Sequence, residues 1–319
     1  MSHQGEGTHM NLPRRVERVG IVGSGVIGSS WASLFLAAGK AVDLYDPSPS
    51  CEADTRGYIE AAWPSLEALG LLRPEASPDT IRFVADAAAA VAETQFVQES
   101  VPERLPLKLE IYRAIEPALP PETVVATSSS GLLLSEMQAG WRDPGRFLLG
   151  HPFNPPHLIP LVELLGNERT AEGVIDWTRR FYEESGKVTI EVKKEVPGHI
   201  ANRLQAAIWR EAVSLVVEGV ASVEDVDKAV TAGPGLRWAI MGPHMLFSLA
   251  SGGNGMVGYC ERYGDSLTRW WQDMGTPALT EEVGRLLAEG VAEEERGRSF
   301  EALTAERDRK LVATLKALG

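Results

Sequence analysis

An α/β architecture, with a doubly wound and mostly parallel sheet followed by an all-helical C-terminal domain, follows from three features of the sequence. Short apolar runs alternate with helical patterns through the first half of the chain, which implies parallel strands with helices on both faces. A glycine turn, Gly23-Ser24-Gly25-Val26-Ile27-Gly28, joins the first apolar run to the first helical stretch. After Gly198 the pattern changes to long helical periodicity with few breakers.

The opening Met1 to Met10 is polar and glycine-rich, so residues 1–15 are expected to form a disordered tail. His3 and His9 then belong to that tail rather than to a metal site. Val16 to Val22 reads as a buried strand, Trp31 to Ala38 as a helix, and Ala41 to Tyr45 as a second strand. Further strands are expected at Ile81 to Val84, Phe96 to Gln98, Val124 to Ala126 and Phe147 to Leu149. Helical patterns separate them at Arg56 to Leu69, Ala85 to Ala92 and Leu105 to Ile115. The alanine run Ala87 to Ala90 is a good helix former without chemistry of its own. Lys187 to Val192 is the last strand, and Lys193 to Gly198 reads as a turn and domain junction. The expected domains are therefore residues 16–197, binding a dinucleotide, and residues 198–319, helical, with the active site in the cleft between them. Ile200 to Val217 and Thr280 to Leu318 carry more apolar surface than a small domain can bury alone, which predicts a homodimer through the helical part.

Composition excludes several function classes. A net charge of -13 argues against a nucleic-acid partner. No apolar run approaches the roughly 18–20 residues of a membrane span, and the N-terminus lacks a signal-peptide pattern. Two cysteines, Cys51 and Cys260, make no disulfide framework and no zinc pair, and suit a reducing cytoplasm.

The glycine turn supplies the first chemistry. Gly23 permits a tight turn, Gly25 lets a pyrophosphate approach the backbone, and Gly28 lets the helix pack closely on the strand. Asp46, ending the second strand, stands where a carboxylate binds ribose hydroxyls and repels the extra phosphate of NADP, so NAD is the expected cofactor. The second feature is His151, expected just past a strand's carboxyl end, where open parallel sheets bind ligands. An imidazole there suits removal of a hydroxyl proton. Glu163 lies in the apolar run Leu161 to Leu165, an odd place for a carboxylate without a partner. Spacing alone is equally consistent with a structural salt bridge at Glu163 and a capping role for His151.

These residues, His151-Pro-Phe-Asn154-Pro with Glu163 following, resemble the H-x-F-N-P signature of the L-3-hydroxyacyl-CoA dehydrogenase superfamily. The resemblance runs from about Val16 to beyond Gly275. It implies that His151 is the catalytic base and Glu163 its partner. It places the catalytic serine at Ser130 and a cofactor contact at Ser128, within Thr127 to Gly131. It also implies that Asn202, in Pro197-Gly-His-Ile-Ala-Asn-Arg-Leu204, binds the substrate oxygen beside Ser130. His199 stands in that motif where the family has phenylalanine. In Gln98-Glu99-Ser-Val-Pro-Glu103-Arg-Leu-Pro-Leu-Lys108, the resemblance makes Glu103 and Lys108 cofactor contacts, beside the plainer reading of a helix-start pair.

The later segment Gly233-Pro-Gly235-Leu-Arg237-Trp238 resembles two branches of the family, lambda-crystallin (an L-gulonate 3-dehydrogenase) and L-carnitine dehydrogenase. Both imply a small L-3-hydroxy acid with a free carboxylate, and a guanidinium such as Arg237 is its natural clamp. Trp238, Phe247 and Tyr259 are candidates to surround a trimethylammonium group, and His199, His244 or Asn254 to bind sugar hydroxyls. The alternatives are an L-3-hydroxyacyl-CoA (3-hydroxybutyryl-CoA) dehydrogenase and a catalytically silent, NAD-binding crystallin-like protein.

Overall fold

Residues 10–319 are described by the computed structural model. Eight strands form one sheet: β1 (Arg18–Val22), β2 (Ala41–Tyr45), β3 (Ile81–Phe83), β4 (Phe96–Glu99), β5 (Val124–Thr127), β6 (Phe147–Pro152), β7 (Leu161–Leu165) and β8 (Val188–Glu191). Their order is β3-β2-β1-β4-β5-β6-β7-β8, and every neighbouring pair is parallel except β6 with β7. The helices among them are α1 (Val26–Ala37), α2 (Cys51–Ala68), α3 (Leu105–Ile115), α4 (Leu134–Met137) and α5 (Val174–Glu184). After β3 the chain returns to the other side of β1, so the strand order reverses between β1 and β4. Open α/β sheets bind ligands at that point.

The strands are apolar at successive positions because the sheet is covered on both faces. Phe96, Val124 and Leu148 enter one buried cluster with Trp31, Phe35 and Phe181. Their chain neighbours Val97, Val125, Phe147 and Leu149 enter a second, with Tyr112 and Trp141. A period of two thus sends alternate side chains into separate cores.

Three expectations are corrected. Ala85 to Ala92 is not a helix but a series of turns. Asp86 starts one turn, accepting the Ala89 amide on its carboxylate at 2.8 Å and the Ala90 amide on its carbonyl at 3.3 Å, but the next backbone bonds, Val91 to Ala88 and Thr94 to Val91, span three residues, so no α-helix continues. Residues 10–15 are not a disordered tail: Pro13 is buried and accepts the Trp177 indole N–H at 2.7 Å, while Met10 and Leu12 pack on the core. An indole buried in the core needs an acceptor, and this segment provides it. The rest of the expected tail, with His3 and His9, lies outside the described residues. Finally, β6 does not stop at Leu149, so His151 sits within a strand rather than beyond one. Pairing with β5 ends at Leu149, but antiparallel β7 continues the ladder through His151 and Pro152.

The chain divides into two compact units. One runs through Asn202 and takes in Asp308–Ala317; the other holds Arg203–Arg307 and Leu318–Gly319. The later helices are α6 (Ala201–Val217), α7 (Val223–Ala232), α8 (Pro234–Trp238), α9 (Pro243–Ala250), α10 (Gly255–Asp273), α11 (Glu281–Glu295) and α12 (Phe300–Leu318). Ser222, Thr280 and Ser299 cap α7, α11 and α12 by accepting a first-turn amide. Among the described residues, no helix is long and apolar enough to cross a membrane.

Candidate active site

The candidate dinucleotide site is built by close backbone packing at the end of β1. Gly23 adopts φ 99°, a left-handed conformation that glycine takes without a Cβ penalty. A Cβ at that position would also meet the Ser100 carbonyl oxygen at 2.6 Å. At Gly28 a Cβ would collide with the carbonyl oxygen of Gly23, so the third glycine is required for α1 to close on β1. Gly25 differs: a Cβ there would meet nothing within 4 Å. Its backbone therefore faces open space at the start of α1, whose first turn holds no side-chain cap and no acidic residue. Uncapped amides and the positive end of the helix suit a pyrophosphate. Asp46 lies alongside, accepting the Ser24 amide at 2.9 Å on one oxygen and the Ser48 amide at 2.9 Å on the other. Its carboxylate is thereby fixed beside the glycine turn, and this donor set fits an adenosine ribose.

At the ends of β4 and β5, two carboxylates organise the loops. Glu99 is fully buried and accepts from Lys108 Nζ at 2.7 Å, Tyr112 OH at 2.6 Å, Thr127 Oγ1 at 2.7 Å and the Val101 amide at 2.7 Å. A buried charge is tolerated when paired and hydrogen-bonded in this way. Lys108, only 1% exposed, is thus held by Glu99, with Glu103 further off at 3.8 Å. Glu103 Oε1 instead gathers the loop after β5, accepting Ser129 Oγ at 2.7 Å and the amides of Ser130, Gly131 and Leu132 at 2.7–3.1 Å. Burial pushes the Glu103 carboxyl up, but Ser129, the loop amides and Lys108 outweigh it and hold the group below its ordinary range. Ser128 Oγ takes bonds from Gln98 Nε2 at 2.8 Å and Trp31 Nε1 at 3.3 Å. Ser130 is exposed on the same loop.

The His151–Glu163 pair is a product of strand register. The two residues are direct partners across the antiparallel β6–β7 ladder, so their side chains share a face. His151 Nδ1 lies 2.8 Å from Glu163 Oε2, both residues being buried. Glu163 Oε1 accepts the Ile200 and Ala201 amides, each at 2.9 Å, at the start of α6. Burial raises the Glu163 carboxyl, yet the His151 bond and those two amides prevail and hold it below the usual carboxylate range. An ionised Glu163 accepts only, so Nδ1 carries the proton and Nε2 is the basic atom of His151. The residues leading into α6 turn sharply, with Gly198 at φ 76° and His199 at φ 51°. Asn202 is half-buried in the first turn of α6.

In the second unit, Arg237 is exposed in the last turn of α8 and forms no ion pair among the described residues. Phe247 and Tyr259 stack at 4.9 Å, and Tyr259 packs against Tyr263, so two of the three aromatics proposed to surround a cation are occupied with each other. Among the described residues, no cluster of histidine, cysteine and carboxylate side chains has the arrangement to hold a metal.

Sequence reasoning missed what braces the β6–β7 hairpin. Lys187 is buried, donates to the Pro156 and Ile159 carbonyls, and lies 5.0 Å from the Trp31 ring centroid. Burial lowers its amine to about 7. Ser30 Oγ bonds His157 Nδ1 at 2.8 Å and accepts the His157 amide at 2.8 Å, tying α1 to the same loop. A lysine opening a strand and a serine in a helix are ordinary surface residues in sequence. Nothing local signals their burial.

Comparison with known proteins agrees with this architecture. The family described as 3-hydroxyacyl-CoA dehydrogenase, NAD binding domain, matches residues 18–196, and its C-terminal domain matches residues 198–294. L-carnitine dehydrogenase of Streptomyces coelicolor is 47% identical, over 97% of this chain and 97% of the relative. That of Pseudomonas aeruginosa is 42% identical, over 97% and 96% respectively. Among solved structures, 5-formyl-3-hydroxy-2-methylpyridine 4-carboxylic acid 5-dehydrogenase, an NAD+ dependent dismutase, is 30% identical. It superimposes with a TM-score of 0.82, over 95% of this chain and 99% of that one.

Proposed function

The chain belongs to the 3-hydroxyacyl-CoA dehydrogenase family and is an NAD-dependent dehydrogenase, and we propose that it oxidises the 3-hydroxyl of a small L-3-hydroxy acid bearing a free carboxylate, with L-carnitine the substrate best supported. The observation that carries the chemistry is the buried His151–Glu163 pair, with Nε2 of His151 left free to act. The whole-length likeness to proteins named L-carnitine dehydrogenase supports the substrate.

In this reading His151 Nε2 takes the hydroxyl proton, and Glu163 stabilises the imidazolium that forms. Ser130 and Asn202 hold the reacting oxygen. The glycine turn and Asp46 would hold NAD, which would supply the hydride acceptor. Glu103 keeps the Ser129–Leu132 loop, and so Ser130, in place. Arg237 takes the substrate carboxylate. The test is a panel of L-carnitine, L-gulonate, L-3-hydroxybutyrate and its CoA ester with NAD. L-carnitine is expected to give the highest kcat/KM; preference for the CoA ester would overturn the free-acid reading.

Asp46 sets the cofactor preference. NAD is expected to be strongly favoured over NADP, because a carboxylate at the ribose repels a 2′-phosphate. Asp46→Ser should weaken NAD binding and relax the preference. Comparable kcat/KM with both cofactors in the unaltered protein would refute the assignment.

The protein is further proposed to act in the cytoplasm as a homodimer through its helical part. Several large apolar residues there are open to solvent, Ile240 at 70%, Val257 at 71%, Trp271 at 66% and Phe300 at 78%. Exposed apolar surface on this scale marks association surfaces. Light scattering should report twice the chain mass, and a monomer throughout the micromolar range would reject the proposal.

A further inference from the structure

His199 is the most anomalous polar residue in the first unit. It is 2% exposed, and neither ring nitrogen makes a well-formed hydrogen bond among the described residues, although the Ser129 backbone lies within reach of the ring. Buried polar groups are nearly always satisfied, and an orphaned donor and acceptor together are costly. The ring is also in a particular place. Its centroid lies 5.3 Å from that of His151, tilted by 52°. Its backbone takes φ 51° directly after Gly198 at φ 76°, so two consecutive residues are left-handed. For a side chain with a Cβ this is unfavourable, and such strain persists where surrounding structure enforces it, often at functional sites. The turn has two results: the Ile200 and Ala201 amides reach Glu163, and the His199 ring is laid against the His151 ring.

We propose that His199 is a specificity-determining residue that donates a hydrogen bond to a carboxylate oxygen of the substrate, beside the hydroxyl on which His151 acts. This rests on the free-acid reading above. In a 3-hydroxy acid the carboxylate is one methylene away from the reacting carbon, so the neighbour of the base is placed to meet it. The ring's environment suits the task. Burial and the nearby His151 lower the pKa of His199, while Glu163, Glu103 and the Ser129 backbone act in the opposite direction. The net lowering leaves a neutral imidazole near pH 7, with one N–H to give and no second cation beside a base that must itself accept a proton. Both nitrogens are shielded from solvent in this conformation. The contact therefore forms by rotation of the ring or a small shift of the Gly198–His199 turn as substrate enters.

The experiment compares His199→Phe, which keeps an aromatic ring, with His199→Gln, which restores a donor. Removing an unsatisfied polar ring should leave the melting temperature of the ligand-free protein unchanged or raised. The KM for the hydroxy acid should rise about 10- to 100-fold in His199→Phe, with a smaller effect on kcat, and His199→Gln should recover part of the loss. A KM within twofold of wild type in His199→Phe would overturn the proposal, as would a fall in activity that follows a fall in melting temperature. Thermal-shift titration with the same acid reads the contact without turnover. A wild type that binds the acid but does not oxidise it overturns the proposed function while the His199 comparison still stands. A wild type that does neither overturns both.

Discussion

Turnover of His151→Ala or His151→Asn falls by about two to four orders of magnitude, while NAD binding followed by fluorescence stays near that of the unaltered protein. The separation is expected from placement. His151 lies on β6 and its partner on β7, whereas the glycine turn and Asp46 follow β1 and β2. Removing the imidazole takes away the proton acceptor without touching a group assigned to the cofactor. Glu163→Gln is expected to be milder and to change the pH profile, since it removes the partner of the imidazolium. Stability changes too. The Glu163 carboxyl is held below its unfolded value by His151 and the Ile200 and Ala201 amides, against the opposing effect of burial. Its contribution is therefore present above the ordinary glutamate pKa of about 4.3 and is lost as pH falls through the lower folded value. Glu163→Gln should abolish that part of the acid dependence. A His151→Ala protein with near-normal turnover would reject the role of the pair.

The relation between sequence and site follows the range of the interactions involved. The strand β2 and the helix α3 have the bounds that their apolar patterns predict, because burial on a sheet or helix face is written locally. The glycine turn was readable for the same reason: each glycine answers to a steric demand from within one βαβ unit. Ala85 to Ala92 misled because alanine propensity is a weak determinant, and after one turn capped by Asp86 the backbone bonds tighten to three-residue spans. His151 and Glu163 could be suspected from residue type, but their contact depends on β7 running antiparallel and pairing in one register. A slip of one residue would send Glu163 to the opposite face. Glu99, Lys108 and Tyr112 form a buried network that ties Lys108 to Glu99. No periodicity announces such a network, since each member is an ordinary polar residue until the others surround it.

Arg237→Met is expected to lower kcat/KM toward the free hydroxy acid by tens- to thousands-fold, with cofactor affinity nearly unchanged. Arg237 stands in Gly233-Pro-Gly235-Leu-Arg237-Trp238, where the sequence resembles the free-acid branches. A guanidinium used for architecture would be engaged by a carboxylate of the fold. Arg237 has no such ion pair among the described residues and is exposed in the last turn of α8, with its donors available to a ligand. Paired N–H groups in a rigid plane match a carboxylate in a way that a lysine would not. Truncating one member of a buried, hydrogen-bonded charge pair costs about 2–5 kcal/mol, much of it from the charge left unpaired, and that range sets the expected loss once the bound acid covers the Arg237 guanidinium. The chemical control is the methyl ester or amide of the same acid. It never forms the full ion pair, so Arg237→Met should harm its turnover far less. Equal losses for acid and ester would assign Arg237 to support of the fold, and would remove the free carboxylate as the feature this enzyme selects.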